Sequence, residues 1–254
     1  MDSEQARRLA HDPALPAATI AELLAVDDQW VRWMVARRRD LSPEHVRTLL
    51  DTGDAQAISP LLRRGQVGQD DLRGLAADPR LRGLLASVEN LPPDLLTALA
   101  RDPNPVLVSA VAEHQRLPGP LAEELSRHPD PQVLRGLARN ISLDPKLLAG
   151  LEDDSVAYAL AANPATPCEV VARLATNLSF TVRRAAAHRT DLPAETYVLL
   201  AADPERVVRR PVAANPAAPE QVLRSLAADP EMRNALLGNP SLPEDLREQL
   251  SPTT

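Results

Sequence analysis

Two arginine doublets, Arg183-Arg184 and Arg209-Arg210, stand 26 residues apart. Guanidinium groups repeated at a fixed interval can grip phosphates or carboxylates through paired N–H donors. Single arginines recur at the related Val-Arg position, at Arg32, Arg82, Arg135 and Arg233. Aspartates of Asp-Pro and similar turns, Asp27, Asp78, Asp203 and Asp229, repeat with them. The columns therefore support two chemistries. Either the arginines face a ligand, or each pairs with a nearby aspartate of its own or an adjacent repeat and locks the turns together. Because both columns recur together, pairing is the better-supported use. The doublets still leave a local positive stripe that aspartate pairing does not fully neutralise.

A second cluster is Arg37-Arg38-Arg39 beside Trp30 and Trp33. Tryptophan and arginine are the residue types enriched at binding hot spots, so these five residues form a candidate partner site. The competing use is that one tryptophan fills the end of a helix stack while the arginines face water. The candidate partner-binding set is thus Trp30, Trp33, Arg37, Arg38, Arg39, Arg183, Arg184, Arg209 and Arg210.

Other reactive types lack the company that catalysis requires. Cys168 is the only cysteine, so no internal disulfide and no cysteine-built metal site is expected. It falls in a first helical turn, where a thiolate can be stabilised, but no His or Asn constellation surrounds it. His11, His45, His114, His128 and His188 show no metal-ligand spacing. Phosphate-loop, dinucleotide and Gly-x-Ser-x-Gly motifs are absent. No catalytic residue, metal or cofactor is expected. The asparagines of Asn163-Pro164, Asn215-Pro216 and Asn239-Pro240 read as turn residues that bond their own backbone two residues on.

What positions these residues is a repeat. Leu15-Pro16, Leu41-Ser-Pro43, Val67-Gly68, Leu91-Pro92, Leu117-Pro118, Leu143-Asp-Pro145, Thr166-Pro167, Leu192-Pro193, Ala218-Pro219 and Leu242-Pro243 recur every 23 to 26 residues. A fixed period of this size is the signature of a solenoid. Proline in the first turn starts one helix. Apolar residues four apart, such as Val46 and Leu50, Leu95 and Leu99, or Val222 and Leu226, give it one buried face. Asp-Pro, as at Asp78-Pro79 and Asp203-Pro204, then ends it, because the residue before proline is pushed out of the α region. A second segment of the type Val208-Arg209 to Val212-Ala213 runs to the Asn-Pro stop. It is short enough to wind partly as 3-10 helix, and Pro60 and Pro211 are expected in the first turn of such a short helix. An isolated pair of helices cannot bury its stripe, so neighbouring units must stack.

The expected fold is an all-α solenoid of about ten repeats forming one domain over 1–254. A half-repeat at 1–14 and a capping helix and tail at 242–254 would close it, and glycine-rich 51–70 is the least regular unit and the place for any bend. The composition agrees: 44% of the 254 residues are hydrophobic but only 2% aromatic, which suits close packing of small aliphatic helices. A net charge of −7 and a pI near 5.3 argue against a dominant nucleic-acid footprint. Lys146 is the only lysine among 28 basic residues, so arginine abundance also reflects coding bias. No signal-like or membrane-length apolar run occurs; a cytoplasmic monomer is the expectation.

The pattern L-P-x-x-[LV]-x-x-x-L-A-x-D-P-x-x-x-V-R-x-x-V-A-x-N-P resembles the leucine-rich repeat variant family. The resemblance covers nearly the whole chain, strongest over 159–240 and weakest over 51–90. It implies α-helices alternating with 3-10 helices in a right-handed superhelix without strands, and a binding role without a substrate. Some members carry an amino-terminal cysteine cluster for an iron–sulfur centre, which this chain lacks. The leading functional expectation is a non-enzymatic scaffold holding an unknown protein or peptide on the concave face. The alternative is a nucleic-acid-binding solenoid, similar to the HEAT-like DNA glycosylases, using the stacked arginine stripe.

Overall fold

A computed structural model describes residues 1–151 and 153–251; of the expected capping helix and tail, residues 252–254 lie outside the described residues. Contacts divide the chain into two compact units, residues 1–117 and 118–254. The first unit holds α1 (Ser3–Leu9), α2 (Ala17–Leu24), α3 (Gln29–Ala36), α4 (Pro43–Asp51), α5 (Ala55–Arg63), α6 (Gln69–Ala77), α7 (Arg82–Leu85), α8 (Pro93–Leu99) and α9 (Pro105–Ala112). The second holds α10 (Gly119–Leu125), α11 (Pro131–Arg139), α12 (Pro145–Ala149), α13 (Ala157–Ala162), α14 (Cys168–Leu174), α15 (Phe180–Ala187), α16 (Ala194–Ala201), α17 (Arg206–Ala214), α18 (Glu220–Leu226), α19 (Arg233–Leu237) and α20 (Glu244–Leu250). Two 3-10 turns, Asp154–Val156 and Pro230–Met232, lead into α13 and α19. The described residues include no strand.

From α2 onward, first and second helices alternate and stack like on like. Second helices α3 and α5 pack together in the first unit, and α11, α13, α15, α17 and α19 pack in succession in the second. First helices do the same, α2 on α4 and α16 on α18. Burial follows the predicted stripe: Val46, Leu50, Leu95, Leu99, Val222 and Leu226 are all buried. The second helices add Val31, Val35, Val208 and Val212, together with Ala186, Ala187 and Ala213. Valine beside alanine lets these short helices approach closely, and stacking supplies the stability that a helix of under ten residues lacks alone.

Local chemistry departs from expectation in three places. The proline that opens most repeats is the N-cap residue rather than the first helical one, as at Pro16, Pro118, Pro167 and Pro219. Its extended backbone turns the chain into the helix, and its carbonyl accepts the first helical bond, for example from Ala122 N–H to Pro118 at 2.9 Å. Most second helices are α-helical over eight or nine residues, and 3-10 winding is confined to the two turns named above. Pro60 and Pro211 lie inside α5 and α17, not in a first turn. The carbonyls deprived of a donor there belong to Gln56 and Val207, both exposed, so water can take the place of the missing N–H. In the irregular 51–70 unit, Gly53 and Gly65 adopt φ of 63° and 64°. That left-handed conformation ends α4 and α5 in place of proline.

Candidate functional site

The first arginine of each doublet is consumed by the fold. Arg183 Nε donates to Asp203 at 2.6 Å, and Arg209 donates to Asp229 at 2.9 Å. Arg32 pairs with Asp27 and Asp54, and Arg82 with Asp102. In four of these pairs the carboxylate belongs to the next repeat, where its other oxygen caps the turn before the second helix. Asp203 accepts from Glu205 N–H at 2.8 Å, and Asp229 from Glu231 N–H at 2.9 Å. Burial pushes the Asp203 carboxyl upward, but Arg183 and the Glu205 N–H outweigh it and hold the carboxyl below its usual range. Arg82 and the Asn104 N–H do the same for Asp102. Pairing therefore claims Arg32, Arg82, Arg183 and Arg209. Arg135 and Arg233 do not join it: Arg135 donates to its own Pro131 carbonyl and Arg233 to that of Leu250.

A second set of bonds runs the other way along the stack. The asparagines do serve their turns, as expected: Asn163 Oδ1 accepts from Ala165 N–H at 2.9 Å, and Asn215 and Asn239 repeat the bond. Their Nδ2 groups also reach back one repeat. Asn163 donates to the carbonyls of Ala138 and Asn140, Asn215 to those of Ala187 and Arg189, and Asn239 to those of Ala213 and Asn215. These asparagines are at most 4% exposed. Arg189 holds the same position, donating to Asn163 and Thr166 carbonyls while Asp191 takes its remaining donors. In the first unit Arg38 reaches the Asp12 and Pro13 carbonyls, Arg64 those of Ala36 and Arg37, and His114 Nε2 contacts that of Val88. Within each unit, several repeats are thus tied forward by an ion pair, and several reach back to the backbone carbonyls of the repeat before.

Of the tryptophan–arginine cluster, Arg38 belongs to this ladder and also pairs with Asp40. The tryptophans are both half-buried. Trp30 packs against His11 with ring centroids 5.1 Å apart, and the Arg37 guanidinium lies over the Trp33 ring at 4.6 Å. Arg37 and Arg39 are exposed.

In the second unit the second arginine of each doublet has a different fate. Arg184 and Arg210 are exposed, and neither bonds or pairs with any described residue. Residues four apart share a helix face, so α15 presents Phe180, Arg184 and His188, all exposed. α17 presents Arg206, Arg210 and Ala214, and α13 presents Tyr158 and Ala162, again exposed. Tyr158, Arg184 and Arg210 occupy the same place in three consecutive repeats, five residues before Asn163, Arg189 and Asn215. Arg135 continues this row, not the paired one. Between α13 and α15 lies a cleft of about 730 Å³ lined by Tyr158, Ala162, Pro164, Arg184, His188 and Asp191. Residue type and spacing point to the arginines but not to Tyr158 and Phe180, which are 52% and 45% exposed. The available signal was that Tyr158 falls in the Arg184 register.

The remaining reactive types are accounted for. Cys168 opens α14, but its hydrogen bond with Glu169, followed by burial, pushes the thiol up, against the expected stabilisation of a thiolate. His45 completes a capping box with Ser42, and His128 Nδ1 accepts from Asp130 N–H. Among the described residues no group of three or more His, Cys, Asp or Glu could hold a metal ion, and no helix is long and apolar enough to cross a membrane.

No family model matches the chain. No curated relative matches it either. Among solved structures it is similar to one described as a leucine-rich repeat variant with a novel repetitive protein structural motif, at 24% identity and a TM-score of 0.57 over 85% of this chain and 88% of that one. An engineered protein aligns over 97% of this chain and 82% of its own length at 17% identity, with a TM-score of 0.35. The chain therefore has the helical-repeat fold of the leucine-rich repeat variant.

Proposed function

We propose that this chain is a non-enzymatic interaction scaffold that holds another protein or a peptide on the exposed face of its second helices. The observation that carries this reading is a division of labour among like residues. Arg183 and Arg209 are spent joining repeats, whereas Arg184 and Arg210, one residue further on, stand exposed with Tyr158 beside them. Repeat proteins bind through such regularly spaced surface positions. In the first unit Trp33, with Arg37 over its ring, takes the corresponding place in its own repeat.

The test is a pull-down from host lysate with and without nuclease, using the native chain and the Arg184→Glu/Arg210→Glu and Trp33→Ala variants. A protein partner that survives nuclease and is lost from a folded variant is the expected result. A partner set that disappears with nuclease would instead support the nucleic-acid reading.

A further inference from the structure

Resting on the scaffold reading, we infer that the α13–α15–α17 face recognises an extended acidic peptide with two carboxylates three residues apart and an apolar side chain three residues beyond them. Arg184 and Arg210 are the exposed centre of the face, while the carboxylates close by in register, Asp191 and Asp203, are already held by Arg189 and Arg183. A fixed, unneutralised guanidinium favours a carboxylate, which it can bind through two parallel N–H donors.

Geometry sets the spacing. Arg184 and Arg210 sit at equivalent positions of packed helices, and packed helices lie about 8 to 10 Å apart. A peptide in the polyproline II conformation has three residues per turn and rises about 3.1 Å per residue, so its side chains three apart share one face about 9 Å apart. Such a peptide crossing the helices therefore brings side chains i and i+3 onto Arg210 and Arg184, and i+6 onto Tyr158. Tyr158 walls the cleft between α13 and α15 and is half exposed there. Ala162, one turn beyond Tyr158, and Ala214, one turn beyond Arg210, leave room along that side of the row, where Arg184 is followed by His188. Nucleic acid fits less well. Two unpaired guanidiniums on a chain of net charge −7 would release few counterions from a phosphate backbone.

The probe is a fluorescein-labelled peptide containing Glu-x-x-Glu-x-x-Leu, with glycine or serine at x, synthesised in both sequence orders and titrated with the full chain by fluorescence anisotropy. Binding of one order is expected. It should weaken about 10-fold when both glutamates become glutamine, and about 5-fold when they are made adjacent at constant charge. Arg184→Ala and Arg210→Ala should each weaken it about 10-fold and Tyr158→Ala about 5-fold, while Arg173→Ala, an exposed arginine on α14, leaves it unchanged. Circular dichroism confirms that each variant folds. Equal affinity for the glutamine peptide, or wild-type affinity in Arg184→Ala and Arg210→Ala, overturns the proposal. So does tighter binding of a twelve-nucleotide oligothymidylate. A nuclease-resistant partner still captured by the Arg184→Ala/Arg210→Ala protein would leave the scaffold reading standing and remove this one.

Discussion

Adjacent arginines of one doublet should answer substitution in opposite ways. Arg183→Ala strands the buried Asp203 carboxylate and should cost about 2 kcal/mol in urea unfolding. Arg184→Ala, on the exposed face, should stay within about 0.5 kcal/mol of wild type. Equal effects would show that the doublet is not split as described. Thr166 offers a gain. Its hydroxyl is fully buried without a partner, while the same place in other repeats holds Leu192 or Ala218. Thr166→Val should stabilise by about 1 kcal/mol, raising Tm by about 2 to 4 °C; a lowered Tm would mean the hydroxyl is satisfied. The sequence revealed that the arginine and aspartate columns belong together, because both are written in the repeat. Which arginine of a pair turns inward was not legible, since helical phase decides it and two adjacent residues carry the same chemistry.

At the level of the helices, the ladder is what holds one second helix to the next. Asn163→Ala removes the donor to the Ala138 and Asn140 carbonyls at a buried site, and should destabilise the protein by about 2 kcal/mol without altering helix content at room temperature. Asn163→Asp keeps the turn bond to Ala165 but loses the donor, so it should be at least as damaging. If the aspartate variant were as stable as wild type, the turn bond alone would explain the asparagine. Proline periodicity made the helix pairs readable to within a residue or two. The helical type of the second element was not, because six to eight residues between breakers suit either winding. The aspartate caps and the stacking of Val, Leu and Ala on the neighbouring helix tip it toward α.

For the molecule as a whole, acid should act on the joints between repeats. Arg82 holds the Asp102 carboxyl below its usual range and Arg209 does the same for Asp229; at Asp203, burial opposes the depression but Arg183 and the Glu205 N–H prevail. A carboxylate with a depressed folded value contributes stability that is complete above its unfolded value, near 3.8, and is lost as pH falls through the folded one. Thermal scans should therefore show a flat Tm from neutral pH to about 5 and a steep fall below about 4. Arg183→Ala should flatten that fall, since Asp203 would then titrate nearer its ordinary value; an unchanged acid profile would show that the pair contributes nothing.

The joints also bear on how such a chain lengthens. The repeat from Leu192 to Ala217 carries an arginine, Arg209, aimed at the following repeat, an aspartate, Asp203, that receives the preceding one, and an asparagine, Asn215, that reaches back to the preceding carbonyls. The receiving carbonyls are backbone, so any sequence provides them. A tandem duplication of one 26-residue cassette, such as the one from Leu192 to Ala217, would therefore arrive with both halves of each new seam already encoded. It would also set one more arginine beside Arg210 at the same interval, so a genetic event that needs no compensating change would extend the exposed arginine row by one step.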